Sequence, residues 1–325
     1  MEPANSSGNA PSVEGPAPVL PPSAPGVPSL RDRIVDVWKL GLFLVITMVY
    51  GPSLVSAGAV HLFGRPTVPL SPGFLLFVEA GEFAILLGLT RCMSLLERRP
   101  FAEYGLPWRN AFAANFWVGF LLGLAEASVL IALILVLGGY SFGVFALRGP
   151  AIVRLGLVHL VLFIFVGLYE EFLFRGYAQV NLSKLLGFWP AALVLSLGFG
   201  LVHLYNQGED WVGAMSVAVV GLLFAFALRR SGNLWYAVGL HAGFDWAESY
   251  LYSVPDSGEM VGGHLSNAVL HGPTWLTGGS VGPEGSVFCF LTLGLQFLVV
   301  MWLFPAKKKT DALEAGAENE RGNGA

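Results

Sequence analysis

Residues 152–180 read IVRLGLVHLVLFIFVGLYEEFLFRGYAQV, and this stretch decides the fold. A helix crosses the bilayer core with ~20 apolar residues. From Leu155 to Tyr169 the only ionisable residue is His159. A soluble surface helix shows an apolar stripe, whereas this run is apolar on every face, as a membrane span is. It then carries Glu170, Glu171 and Arg175 before it ends. Charges inside a span cost several kcal/mol unless paired or solvated, so they mark functional positions.

Outward from this stretch the chain repeats the pattern. Of 325 residues, 54% are hydrophobic and 12% charged, about half the roughly 25% charged content of soluble domains. Mean hydropathy is +0.64. A soluble globular fold is excluded, and long unbroken apolar runs exclude the short alternating strands of a membrane β-barrel. Eight apolar spans are expected, at about 34–59, 74–96, 111–137, 152–180, 189–206, 211–229, 233–252 and 286–304. The fold class is therefore all-α, a polytopic membrane protein of about eight transmembrane helices. The spans 189–206 and 211–229 are short and joined by a tight NQGED turn, and 253–285 is Gly-rich and irregular. No internal repeat is evident.

Three regions follow: a Pro-rich tail at 1–30, read as disordered, a transmembrane domain at 31–305, and a polar tail at 306–325. The first tail has no basic n-region and no apolar h-region before Arg31, so it is not read as a signal peptide. Arg31, Arg33, Arg91, Arg98, Arg99, Arg109, Lys184, Arg229, Arg230, Lys307, Lys308 and Lys309 fall on one side of an eight-span topology, against Arg65 and Arg148 on the other. The positive-inside rule makes the crowded side, with both termini, cytoplasmic. An integral protein of a bacterial plasma membrane is expected, with the lipid bilayer as its partner. A net charge of −4 gives no support for a nucleic-acid partner. Cys92 and Cys289 sit toward opposite faces, so no disulfide is expected.

Helix geometry sorts the buried charges. Glu171 and Arg175 are four apart with the acid first, the favourable order for an ion pair. Glu170 lies about 100° round the helix and can point into the bundle. Phe199 and His203 share the run FGLVH, and His241 and Asp245 the run HAGFD. At ~1.5 Å per residue, Glu170 lies roughly 16 Å, His203 roughly 21 Å and His241 roughly 12 Å from the cytoplasmic ends of their spans. A carboxylate and two imidazoles therefore converge near mid-membrane. Such a set can deprotonate water, with Glu170 and His203 holding it and His241 and Asp245 stabilising an oxyanion. Asp245 would donate only if protonated; otherwise it would orient His241, the role this reading favours. A proton relay, an ion path and a hydrolase all fit these charges.

The same residues resemble the CPBP family, the CAAX-protease and bacteriocin-processing (Abi) intramembrane proteases. That family is marked by EExxxR, FxxxH and HxxxN or HxxxD motifs on successive core helices. Here they read Glu170-Glu171-x-x-x-Arg175, Phe199-x-x-x-His203 and His241-x-x-x-Asp245. The resemblance covers about residues 150–250, and EYGLP at 103–107 resembles a further family element. It implies a CAAX-protease-like bundle of eight helices and an endopeptidase for membrane-anchored or prenylated substrates. Glu170 and His203 would activate the water and His241 and Asp245 would bind the oxyanion, with Glu171, Arg175 and Phe199 supporting them. Asp245 stands where prenyl-processing members often carry Asn. Members are commonly labelled metalloproteases, and Glu170, His203 and His241 could ligate zinc with an open position. HExxH is absent, and the resemblance favours a mechanism with no metal cofactor.

Other ionisable residues are expected to be structural. Glu126 could line the substrate cavity, with a structural partner elsewhere as the favoured reading, Glu79 and Glu82 would serve helix packing or interfacial solvation, and His159 would sit at the outer end of its span. Glu248 would support the site from one turn beyond Asp245. GxGD, Walker A and helix-opening GxGxxG motifs are absent. A transporter would show inverted repeats with broken helices, which are not seen. A catalytically silent scaffold would have lost a motif residue, and every motif position is filled.

Overall fold

A computed structural model describes residues 30–67 and 69–306. The readings of 1–30 and 306–325 as tails therefore fall almost wholly outside the described residues. Helices occupy all eight apolar stretches. Helix α1 (Leu30–Val45) runs through a π-turn at Ile46–Tyr50 into α2 (Gly51–Phe63). Helices α3 (Pro72–Leu96) and α4 (Ala114–Val136) follow. Helix α5 (Pro150–Phe172) continues through a π-turn at Leu173–Ala178 into α6 (Gln179–Leu186). Then come α7 (Phe188–His203), α8 (Trp211–Ser231), α9 (Trp235–Asp245) with its π-turn Trp246–Leu251, the short α10 (Thr274–Thr277) and α11 (Val287–Leu303). The strand content among the described residues is one antiparallel pair, β1 (Tyr140–Ser141) against β2 (Val269–Leu270), which ties the two loops on one side of the bundle.

Five helical runs are long and apolar enough to cross a membrane: Arg33–Phe63, Pro72–Leu96, Ala114–Val136, Pro150–Leu186 and Trp211–Ser231. Helices α7 and α11 are shorter apolar helices. The stretch read as 189–206 stops being helical at His203, because NQGED must turn the chain into α8. Asp210 caps α8 there, accepting from the backbone N–H of Val212 and Gly213 at 2.7 and 3.1 Å. Apolar side chains such as Leu121, Val153 and Leu298 stay exposed on the outer surface, as lipid-facing residues do. The protein is an integral membrane protein.

Helix α9 is enclosed rather than lipid-facing, with Trp235 through Leu240 all buried. Four glycines set its place. A Cβ on Gly119 or Gly123 of α4 would lie 2.2 or 2.0 Å from the carbonyl oxygen of Tyr236 or Leu240. A Cβ on Gly239 or Gly243 of α9 would lie 2.0 or 2.1 Å from that of Phe116 or Phe120. Each helix thus offers a Gly-x-x-x-Gly face to the other, and the backbones meet directly. The start of α9 is pinned by the EYGLP segment. Gly105, at φ +95°, offers its carbonyl to the Leu234 N–H at 2.8 Å, and the Pro107 carbonyl accepts from the Trp235 indole at 3.1 Å. Tyr104 is fully buried and donates to Glu97 at 3.3 Å, which also receives the Tyr177 hydroxyl at 2.7 Å.

Candidate active site

Glu170 and Glu171 occupy the last turn of α5. Glu171 is wholly buried, and its Oε1 lies 3.1 Å from Arg175 Nη1, itself 1% exposed. The ion pair expected from the sequence is therefore present. Arg175 also lies over the Phe199 ring at 4.4 Å and is 5.6 Å from both Phe174 and Phe224. Three aromatic faces thus replace part of the water the guanidinium has lost. This gives Phe199 a role in placing the cation.

The same Glu171 oxygen lies 3.2 Å from His241 Nδ1, a contact the sequence reading missed. A carboxylate accepts, so Nδ1 carries a proton and the ring is oriented from α5. The other nitrogen, Nε2, lies 3.2 Å from Asp245 Oδ2 and 3.6 Å from Glu170 Oε2. Asp245 thus meets the nitrogen that faces Glu170, and Glu171 does the orienting that the sequence reading gave to Asp245. His241 also stacks on Phe224 at 5.4 Å. His203, the last residue of α7, bonds through Nδ1 to the Phe199 carbonyl at 2.8 Å, which leaves Nε2 as an acceptor.

Glu170, His203, His241 and Asp245 border one cavity of about 260 Å³, walled by apolar residues including Val166, Phe199, Phe224 and Leu240. Glu170 Oε2 is buried there with no hydrogen-bond partner among the described residues. An acceptor carboxylate, an imidazole lone pair and a second imidazole held by two acids can take up and return a proton beside a bound molecule.

The structure also moves residues the sequence reading had set aside. Glu79 of α3 and Glu126 of α4 border the same cavity. Glu126 lies beside Thr292 and Gln296 of α11, though neither bonds its oxygens within hydrogen-bond distance. The signal of Glu79 and Glu126 was present in the sequence, as acids within apolar spans. His159 is buried, bonded to the Leu155 carbonyl at 2.8 Å, and does not border the cavity. Cys92 and Cys289 are both free thiols.

Among the described residues, one group of three His, Cys, Asp or Glu brings one donor atom each within 4.8 Å of one another: Glu248, Asp256 and Glu284. As they stand, Glu170, His203 and His241 do not form such a set.

Residues 152–247 match the family model described as "Type II CAAX prenyl endopeptidase Rce1-like", consistent with the CPBP family. The matched segment contains Glu170, Glu171, Arg175, Phe199, His203, His241 and Asp245. No curated protein and no solved structure matches the chain.

Proposed function

We propose, from the Rce1-like type II CAAX prenyl endopeptidase match over residues 152–247, that this membrane protein hydrolyses a peptide bond of a membrane-anchored or lipidated, CAAX-like substrate. The observation that carries the reading is the unpartnered Glu170 carboxylate oxygen facing an apolar-walled cavity shared with two histidines. Water binds between Glu170 and His203 Nε2. Its oxygen attacks the scissile carbonyl carbon as Glu170 takes its proton. His241, protonated on both nitrogens, donates to the developing oxyanion, with Glu171 and Asp245 balancing the imidazolium charge. The proton then passes from Glu170 to the leaving nitrogen as the C–N bond breaks, giving a carboxylic acid, which ionises in water, and an amine. No metal takes part. The basic-residue distribution supports cytoplasmic termini.

The test is cleavage of lipidated and membrane-anchored peptides by purified protein in detergent. Wild type is compared with Glu170→Ala and His203→Ala, each with and without chelator. The proposal expects cleavage by wild type alone, indifferent to chelator. Loss on chelation with recovery on adding zinc, or undiminished cleavage by Glu170→Ala, would overturn the mechanism. Absence of cleavage of every peptide would overturn the activity.

A further inference from the structure

One turn beyond Asp245, the chain gathers carboxylates that the proposed hydrolysis does not use. Glu248 lies in the π-turn after α9, Asp256 in the loop beyond it, and Glu284 in the short turn before α11. One oxygen from each lies within 4.8 Å of the other two. Glu248 is wholly buried and Glu284 is 8% exposed. Among the described residues, no Lys, Arg or His nitrogen lies within 4.0 Å of any of the three.

Partners account for only part of this charge. Ser249 donates to Asp256 at 3.0 Å, and the Ser257 hydroxyl donates to Glu284 at 2.7 Å. Both oxygens of Glu248 are buried and have no hydrogen-bond partner among the described residues. A separate element adds a second such group. Glu126 of α4 is 5% exposed, both its oxygens are also unpartnered, and it borders the same cavity as Asp256 and Glu284. Buried acids stripped of water and of basic partners need either a proton or a counter-charge.

We propose that Glu248, Asp256 and Glu284 bind one divalent cation of the hard, oxygen-seeking class, with Ca²⁺ the best fit. The donor atoms are all oxygens, which disfavours the nitrogen- and sulfur-seeking metals. The spacing fits as well: Ca²⁺ takes oxygen ligands at about 2.4 Å, so one ion reaches donors up to twice that distance apart. Mg²⁺ demands near-octahedral geometry, keeps several waters and is usually held by one or two carboxylates rather than three. The backbone already holds the donors in place. The Val254 N–H bonds to the Glu248 carbonyl at 3.1 Å, the Gly258 N–H to the Val281 carbonyl at 2.8 Å, and the Asn206 side chain to the Ser257 carbonyl at 2.9 Å. The ion would tie the end of α9, the loop at 253–285 and the start of α11 into one unit beside the reaction cavity. This inference does not depend on the peptidase reading.

The test uses the full-length protein in detergent, stripped with chelator and dialysed against metal-free buffer. Bound metal is counted after equilibration with CaCl₂, MgCl₂ or MnCl₂, and the melting midpoint is followed with each. Wild type should bind one Ca²⁺ per chain and melt higher with it. Glu248→Gln and Glu284→Gln should bind at least tenfold more weakly, and the exposed Glu103→Gln should behave as wild type. Each buried Glu→Gln change removes repulsion, so these variants should fold without metal and melt no lower than stripped wild type. Wild type that takes up no ion would overturn the proposal and leave the acids neutralised by protons. Uptake undiminished in Glu248→Gln and Glu284→Gln, or abolished by Glu170→Ala, would overturn it by placing the ion elsewhere.

Discussion

Gly239→Ala adds one methyl group two residues from His241, at the seam where α4 and α9 touch backbone to backbone. The new Cβ would stand 2.0 Å from the Phe116 carbonyl oxygen, where real contacts essentially never fall below 3.0 Å. Neither side of the contact is a flexible side chain, so the helices must part by about 1 Å. Overpacking of this kind typically costs about 1–3 kcal/mol. Elsewhere in a helix, Gly→Ala is worth roughly 0.5–1 kcal/mol in the stabilising direction. Gly88→Ala on α3, where nothing lies within 4 Å, is therefore the matched control. Gly239→Ala should melt clearly below wild type and Gly88→Ala at or above it. Shifting α9 also moves His241 relative to Glu170, now 3.6 Å from it. A displacement near 1 Å in a reacting group can cost on the order of 10²-fold in rate. Thermal melting in detergent and cleavage of an anchored peptide read the two effects. If Gly239→Ala melts with Gly88→Ala and cleaves at the wild-type rate, the packing argument is wrong.

Other substitutions separate chemistry from support. Arg175→Met leaves the wholly buried Glu171 carboxylate with His241 as its remaining partner, and unfolding measurements should show a loss of about 3–5 kcal/mol. Adding Glu171→Gln to that variant should recover much of the loss, which a double-mutant cycle reads. Glu170→Gln removes the acceptor and keeps the shape, so turnover should fall roughly 10²–10⁴-fold with little change in melting. Asp245→Asn keeps a polar group beside His241 Nε2 and can donate at any pH, so a cleavage assay should find it active where Asp245→Ala is not.

What could be read from the sequence followed from the strength of each local signal. The charges of YEEFLFRG stand out because lipid tolerates so few, and their i, i+4 spacing gave the Glu171–Arg175 pair directly. Convergence of Glu170, His203 and His241 followed from depth along helices of fixed rise. Depth says nothing of azimuth between helices, so the contact from Glu171 to His241, 70 residues apart, was not legible. Glu79 and Glu126 were seen but not assigned to the cavity for the same reason. The end of α7 at His203 was misplaced because Leu204 and Tyr205 continue the apolar run while the turn has already begun. The seam of Gly119, Gly123, Gly239 and Gly243 was legible as two small-residue repeats at helical spacing, and was missed. The acids of the 253–285 loop come together through irregular backbone, for which no periodicity exists to be read.

The π-turn at Leu173–Ala178 sits between the reactive end of α5 and α6. Such a turn holds one residue more than an α-helical one, and Gly176 within it leaves helical geometry at φ −83°, ψ −114°. Deleting a single residue there would shorten the turn to an α-helical one while the helices on either side keep their faces. Glu170 and Glu171 upstream, and the residues of α6 downstream, would keep the neighbours they have. The turn is thus the one place in this helix where the chain can lose a residue while the acids keep their address.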